Sequence, residues 1–123
     1  MERSLAELER EFGAAAALEL LTSFLKDSPP RLTGLRQLAA KADGPALGCS
    51  AHALAGSCGI FGLETMRNLG LQLEGIAPTG DRAGGEFLMA GLEREFASIQ
   101  PRMEELRRHL VDSATTESAK EEL

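Results

Sequence analysis

The sequence predicts an all-α chain, an antiparallel up-down bundle of four long helices with a short extra helix at its N-terminus. Three observations predict it. Apolar residues recur at alternating gaps of three and four through most of the chain, which is the spacing of one helix face. Hydrophobic residues make up 43% of the 123 residues, yet there is no Trp or Tyr and there are only five Phe. Leu, Ala and Met must therefore build the core, and the scarcity of β-branched residues argues against a sheet. The stretches between periodic segments are short, as antiparallel neighbours require. The length suits one domain with one core, expected over residues 1–111. Residues 112–123 hold almost no apolar side chains and are expected to form a disordered tail.

The elements follow in order. Ser4 and Glu7 stand at capping-box spacing ahead of Leu5, Leu8 and Phe12, which predicts a short helix stopped by Gly13. From Ala14 to about Ala42 one register persists through Leu18, Leu21, Leu25, Ser28, Leu32, Leu35 and Ala39. Pro29-Pro30 interrupts it chemically without changing its phase. A kink or a tight break is expected there, and Ser28 is placed to cap a restarted helix. Asp43-Gly44-Pro45 opens the next helix, and Gly59 and Gly62 punctuate its end. Leu63, Met66, Leu69, Leu73 and Ile76 give the following helix its stripe. Residues 77–85, rich in Gly, Pro and Thr, read as a connecting loop. Met89, Leu92, Phe96, Ile99, Met103, Leu106 and Leu110 mark the last helix, which Pro101 should bend without ending.

The helix after Pro45 differs from the others. Leu47, Ala51, Leu54, Cys58 and Phe61 form its apolar stripe. At about 100° per residue, the positions within about 60° of His52 are Pro45, Gly48, Cys49, Ala55, Gly56 and Gly59. All are small or compact, so one histidine stands on a face cleared of long side chains. Glycine inside a helix costs roughly 1 kcal/mol relative to Ala, and close approach of another surface is a reason to accept that cost. Tight packing of two helices within one bundle would also select small residues, and spacing alone leaves both readings open.

His52-Ala53-Leu54-Ala55-Gly56-Ser57, followed by Gly62, resembles the signature of histidine phosphotransfer (HPt) domains, which runs His-x-Leu-Lys-Gly-Ser-Ser with a second Gly six residues after its own. Gly59-Ile60-Phe61-Gly62 is also similar to the phosphotransfer domain of chemotaxis histidine kinases. The resemblance implies an HPt-like bundle and a phosphoryl-accepting His52. It implies that Glu74, on the next helix, orients the ring, and that Gly56 leaves room for phosphate and partner. Gly48, Cys49, Gly59 and Ser57 complete the supporting and docking set. Ala55 stands where the family has Lys, and a lysine there would offset part of the phosphate's charge. Arg67 is a candidate substitute.

An unperturbed imidazole titrates near 6.5, so its neutral form offers a nucleophilic lone pair at neutral pH. Phosphoryl transfer needs positioning and charge stabilisation more than covalent help. The resemblance therefore implies a carrier rather than an enzyme, with no cofactor of its own and with Mg2+ supplied by the partner. The partner would be a response-regulator receiver domain, a hybrid histidine kinase, or both. The alternative is an adaptor of the same fold that binds receivers or kinases and carries no phosphate. A metal-binding bundle is the rival of another class, but it should show Glu three residues before a histidine. Cys49 and Leu106 stand there before His52 and His109, so no metal site is expected. His109 shares a face with Arg102 and Glu105 and reads as structural. The formal charge of −6 and the lack of a basic stripe argue against nucleic acid. No apolar run is long enough to span a membrane, and a cytoplasmic location is expected. Cys49 and Cys58, about 13.5 Å apart along one helix, are too far apart for a disulfide.

Overall fold

In the computed structural model, which describes residues 2–121, Ser4 caps α1 (Leu5–Phe12) through the expected reciprocal pair. Its hydroxyl accepts the Glu7 N–H at 3.2 Å, and the Glu7 carboxylate accepts the Ser4 N–H at 3.4 Å. Leu8 is the fully buried residue of this helix. The segment ahead of it is tied down as well. Arg3 donates its N–H to the Phe61 carbonyl at 2.9 Å and its guanidinium to the Ile60 carbonyl at 3.1 Å.

α2 (Ala14–Lys41) is one continuous helix through Pro29 and Pro30. Of the kink or break expected there, the break does not occur; the helix does not restart, so Ser28 is a buried position within it rather than a cap. Two missing N–H groups leave the Leu25 and Lys26 carbonyls without their helical donors. Both prolines face solvent, where water can take those carbonyls. The buried face on the other side, Phe24, Leu25, Ser28 and Leu32, passes the site unbroken.

α3 (Gly44–Ile60) begins under Asp43, whose carboxylate accepts the Ala46 N–H at 3.3 Å. Gly44 has a steric reason to be glycine: a methyl group on it would lie 2.8 Å from the Ala77 carbonyl oxygen. The helix stops at Gly62, whose φ of 66° suits glycine. There the Leu63 N–H reaches back to the Cys58 carbonyl and the Gly62 N–H to the Gly59 carbonyl, the double bond of a Schellman stop.

α4 (Glu64–Ile76) follows at once, then a 3₁₀ turn (Ala77–Thr79) and α5 (Arg82–Glu121). Two expectations are corrected here. Residues 82–85 belong to the helix rather than to a loop, because Asp81 accepts the Gly84 N–H at 2.9 Å and starts α5 early. Where a disordered tail was expected over residues 112–123, α5 runs on as helix over residues 112–121, and residues 122 and 123 lie outside the described residues. Ala, Glu and Lys are good helix formers, and extending an existing helix needs no new nucleus. The Thr115 and Thr116 hydroxyls donate to the Val111 and Asp112 carbonyls in the same stretch.

The fold is all-α with five helices, and no strand occurs among the described residues. α2 packs on α5 and on α3, α3 packs on α4, and α4 packs on α5. Their stripes meet in one core that includes Leu21, Leu35, Leu54, Met66, Leu73, Met89 and Leu92. Phe24 joins two of the contacts, with ring centroids 5.2 Å from Phe61 and 6.2 Å from Phe96. At the surface Arg36 pins α2 to α5 through Glu86 and Glu93, and this pairing holds the Glu93 carboxyl below its usual range.

Candidate functional site

His52 stands in the middle of α3, opposite the side chains that fix the helix in the core. Leu47, Ala51, Leu54 and Cys58 are buried, while the His52 side chain is 72% exposed. Burying a leucine stabilises the fold by about 2 kcal/mol, so Leu47 and Leu54 determine which way the histidine points. The ring itself makes no contribution of that kind.

Contacts with α4 descend that helix as they ascend α3. Glu74 lies level with His52, Gly70 with Ala51 and Ala55, and Arg67 with Gly59. The Glu74 carboxylate is 3.0 and 3.2 Å from His52 Nδ1. A carboxylate only accepts, so the shared proton belongs on Nδ1 and the lone pair on Nε2. The arrangement is thus an exposed ring with one nitrogen held by an acid from a second helix and no partner for the other among the described residues.

The small residues around His52 divide into three groups. On one side Gly48 and Cys49 line, with His52 and Glu74, a cleft of about 970 Å³ whose wall also includes Ala77 and Pro78, and the Ala77 Cβ would be 3.7 Å from a methyl group on Gly48. Nothing in the sequence beyond a Pro-Thr-Gly stretch marks that wall. On the other side Gly56 is bare, with no heavy atom within 4 Å of where a side chain would begin. One turn further on, Gly59 lies under the stem of Arg67, whose Cδ would be 3.6 Å from a methyl group there.

Ala55 is the correction. It is only 2% exposed and does not belong to the open face. α4 closes over it at Gly70, where a methyl group would meet the Ala55 Cβ and the Ala51 carbonyl oxygen at 3.3 Å. Two small residues let the helices approach closely, and a lysine at 55 would have to part them. Gly70, a glycine inside the apolar pattern of α4, is the sequence signal for that contact. Ser57 also lies apart from the site, turned to α2, where Arg31 reaches its hydroxyl at 3.5 Å.

Cys58 is buried, and burial pushes its thiol up to about 12 against a smaller opposing effect of Arg31. Cys49 is exposed beside the cleft. No group of three or more His, Cys, Asp or Glu is arranged to hold a metal among the described residues. Among those residues no helix is long and apolar enough to cross a membrane.

A family model described as the Hpt domain matches residues 19–109. That span contains most of α2, the whole of α3 and α4, and α5 as far as His109, one residue before the last core leucine of that helix. No curated protein and no solved structure matches the chain.

Proposed function

The chain belongs to the Hpt domain family, and on that premise we propose that it is a phosphoryl carrier of a two-component phosphorelay, with His52 as the accepting residue. It takes the phosphoryl group from a receiver-domain aspartate or a kinase and passes it to another receiver. In this reading the four long helices form the antiparallel up-down bundle that presents the site.

The observation that carries the reading is the His52–Glu74 pair, 3.0 Å apart across two helices on a face without bulk. Nε2 attacks the phosphorus of an acyl phosphate as the P–O bond to the partner's aspartate breaks, and the aspartate leaves as a carboxylate. The Nδ1 proton stays on the ring, which becomes cationic. Glu74 accepts that proton's hydrogen bond and balances the new charge. The return transfer runs through the same steps in reverse. Proximity and orientation supply the catalysis, and Mg2+ with the remaining cationic groups comes with the partner.

An adaptor that binds receivers without carrying phosphate is the second reading. The closure of α4 over Ala55, at the position of the family's lysine, favours it. One experiment separates the two. The chain is incubated with phosphorylated receivers and tested for acid-labile, base-stable phosphate in the wild type and in His52→Gln. The carrier reading expects label in the first and none in the second, with helical content unchanged. An unlabelled wild type that still binds receivers would favour the adaptor.

A further inference from the structure

The carrier reading leaves open what steers an anionic donor onto an acidic chain, and the charges on the two helices that frame His52 bear on it. α3 has no charged side chain, and α4 has one cation, Arg67, with two acids, Glu64 and Glu74. Arg67 is exposed, and it forms no salt bridge among the described residues. Its stem crosses Gly59, with Cδ and Nε 3.6 and 3.7 Å from where a methyl group would lie. Gly59 is seven residues after His52 and so on the same face, about 10.5 Å along the axis. Bare Gly56 lies between them. On α4, Leu71 stands between Arg67 and Glu74 and is 38% exposed, one of the few large apolar side chains at the surface. The two helices thus present one low strip, with the imidazole and its carboxylate at one end and a guanidinium at the other.

An acyl-phosphate donor brings phosphoryl and carboxylate oxygens towards this strip. The chain it approaches has a formal charge of −6, and Glu74 adds an acid beside the reacting ring. An acyl phosphate is anionic, so an exposed cation on the face it meets favours both the encounter and the orientation of docking.

We propose that Arg67 is the docking cation of this surface: it pairs with an acidic group on the rim of the phosphodonor's site and seats the donor over Gly56 and Gly59. It is a positioning residue. The N–P bond forms at His52 and the P–O bond breaks at the partner's aspartate without a bond to Arg67. The proposal rests on the carrier reading, and it places the compensating charge on α4 rather than at residue 55.

The test compares the wild type with Arg67→Lys, Arg67→Gln and Arg67→Glu. The donor is the phosphorylated receiver with which the wild type exchanges fastest. Second-order transfer rates are measured at about 0.05 M and about 1 M salt, where the screening length falls to about 3 Å. Phosphoramidate, a donor too small to dock, is run in parallel. At low salt the rate should fall about three-fold in Arg67→Gln and about ten-fold in Arg67→Glu, with Arg67→Lys close to the wild type. At high salt the four should converge, and phosphoramidate should label His52 equally in all of them. Equal low-salt rates in the Gln and Glu variants would overturn the proposal. So would a loss that persists at high salt or extends to phosphoramidate, because that marks local damage. A wild type that takes phosphate from no receiver would defeat the carrier reading itself, and the proposal with it.

Discussion

Two exposed histidines each stand beside a glutamate, and their surroundings differ. His109 lies on α5 with Glu105 one turn away, Nε2 to carboxylate 3.9 Å, both side chains more than half exposed. That separation is longer than a hydrogen bond, so it does not fix the ring. Its helix neighbours one turn on include Asp112. His52 takes its glutamate from another helix at 3.0 Å, and the Glu74 side chain is itself only 37% exposed. Its neighbours one turn either way are Gly48 and Gly56. A histidine next to a glutamate on one helix is a common accident of spacing. A ring held from a second element, with space kept around its free nitrogen, is an arrangement that can accept a group.

The largest expected effect removes the space. Gly56→Gln puts a long side chain where nothing lies within 4 Å, and transfer from a phosphorylated receiver should fall at least about 30-fold. Stability should rise by up to about 1 kcal/mol, because a helical glycine has been replaced. Ser113→Gln, one turn from His109, should leave transfer unchanged. Undiminished transfer in Gly56→Gln would show that the partner docks elsewhere.

The second prediction concerns the closed side of the same face. Ala55→Lys should part α3 from α4 at Gly70 and cost about 2 kcal/mol of stability by overpacking. The measurement is a lower urea midpoint at unchanged slope. An unchanged midpoint would mean that a side chain at 55 escapes to solvent and that the open face extends to this position.

The third and smallest concerns orientation. Glu74→Gln keeps an acceptor near Nδ1 but removes its charge, and transfer should slow about five-fold, the difference between a charge-assisted and a neutral hydrogen bond. Glu105→Gln should change nothing. Equal rates for Glu74→Gln and the wild type would reduce the His52 pair to the standing of the His109 pair.

Helix-forming patterns made most of the fold legible, because core stripes recur at fixed spacing and caps have local chemistry. Ser4 with Glu7, Asp43 ahead of Pro45 and the stop at Gly62 all act within a few residues of themselves. The misreadings came where tertiary contact or continuation outweighs a local signal. Pro29 and Pro30 stay in α2 because its opposite face is already packed. Residues 112–121 stay helical because α5 precedes them. Ala55 faced the same test: its angle from His52 placed it on the open side, and only the approach of Gly70 shows that α4 covers it. His52 stood out through the motif His52-Ala53-Leu54-Ala55-Gly56-Ser57, because the small residues around it suit tight helix packing equally well. The cleft wall at Ala77 and Pro78 was not legible, because it arises from a turn that is distant in sequence from α3.

The most direct measurement is the position of the phosphoryl group on the chain after reaction with a phosphorylated receiver. Peptide mapping locates the residue, and 15N and 31P NMR of the imidazole identify the nitrogen. The Glu74 contact at Nδ1 leads to phosphate on Nε2 of His52, with His109 unmodified. Phosphate on His109, or on Nδ1 of His52 in place of its bond to Glu74, would contradict the account.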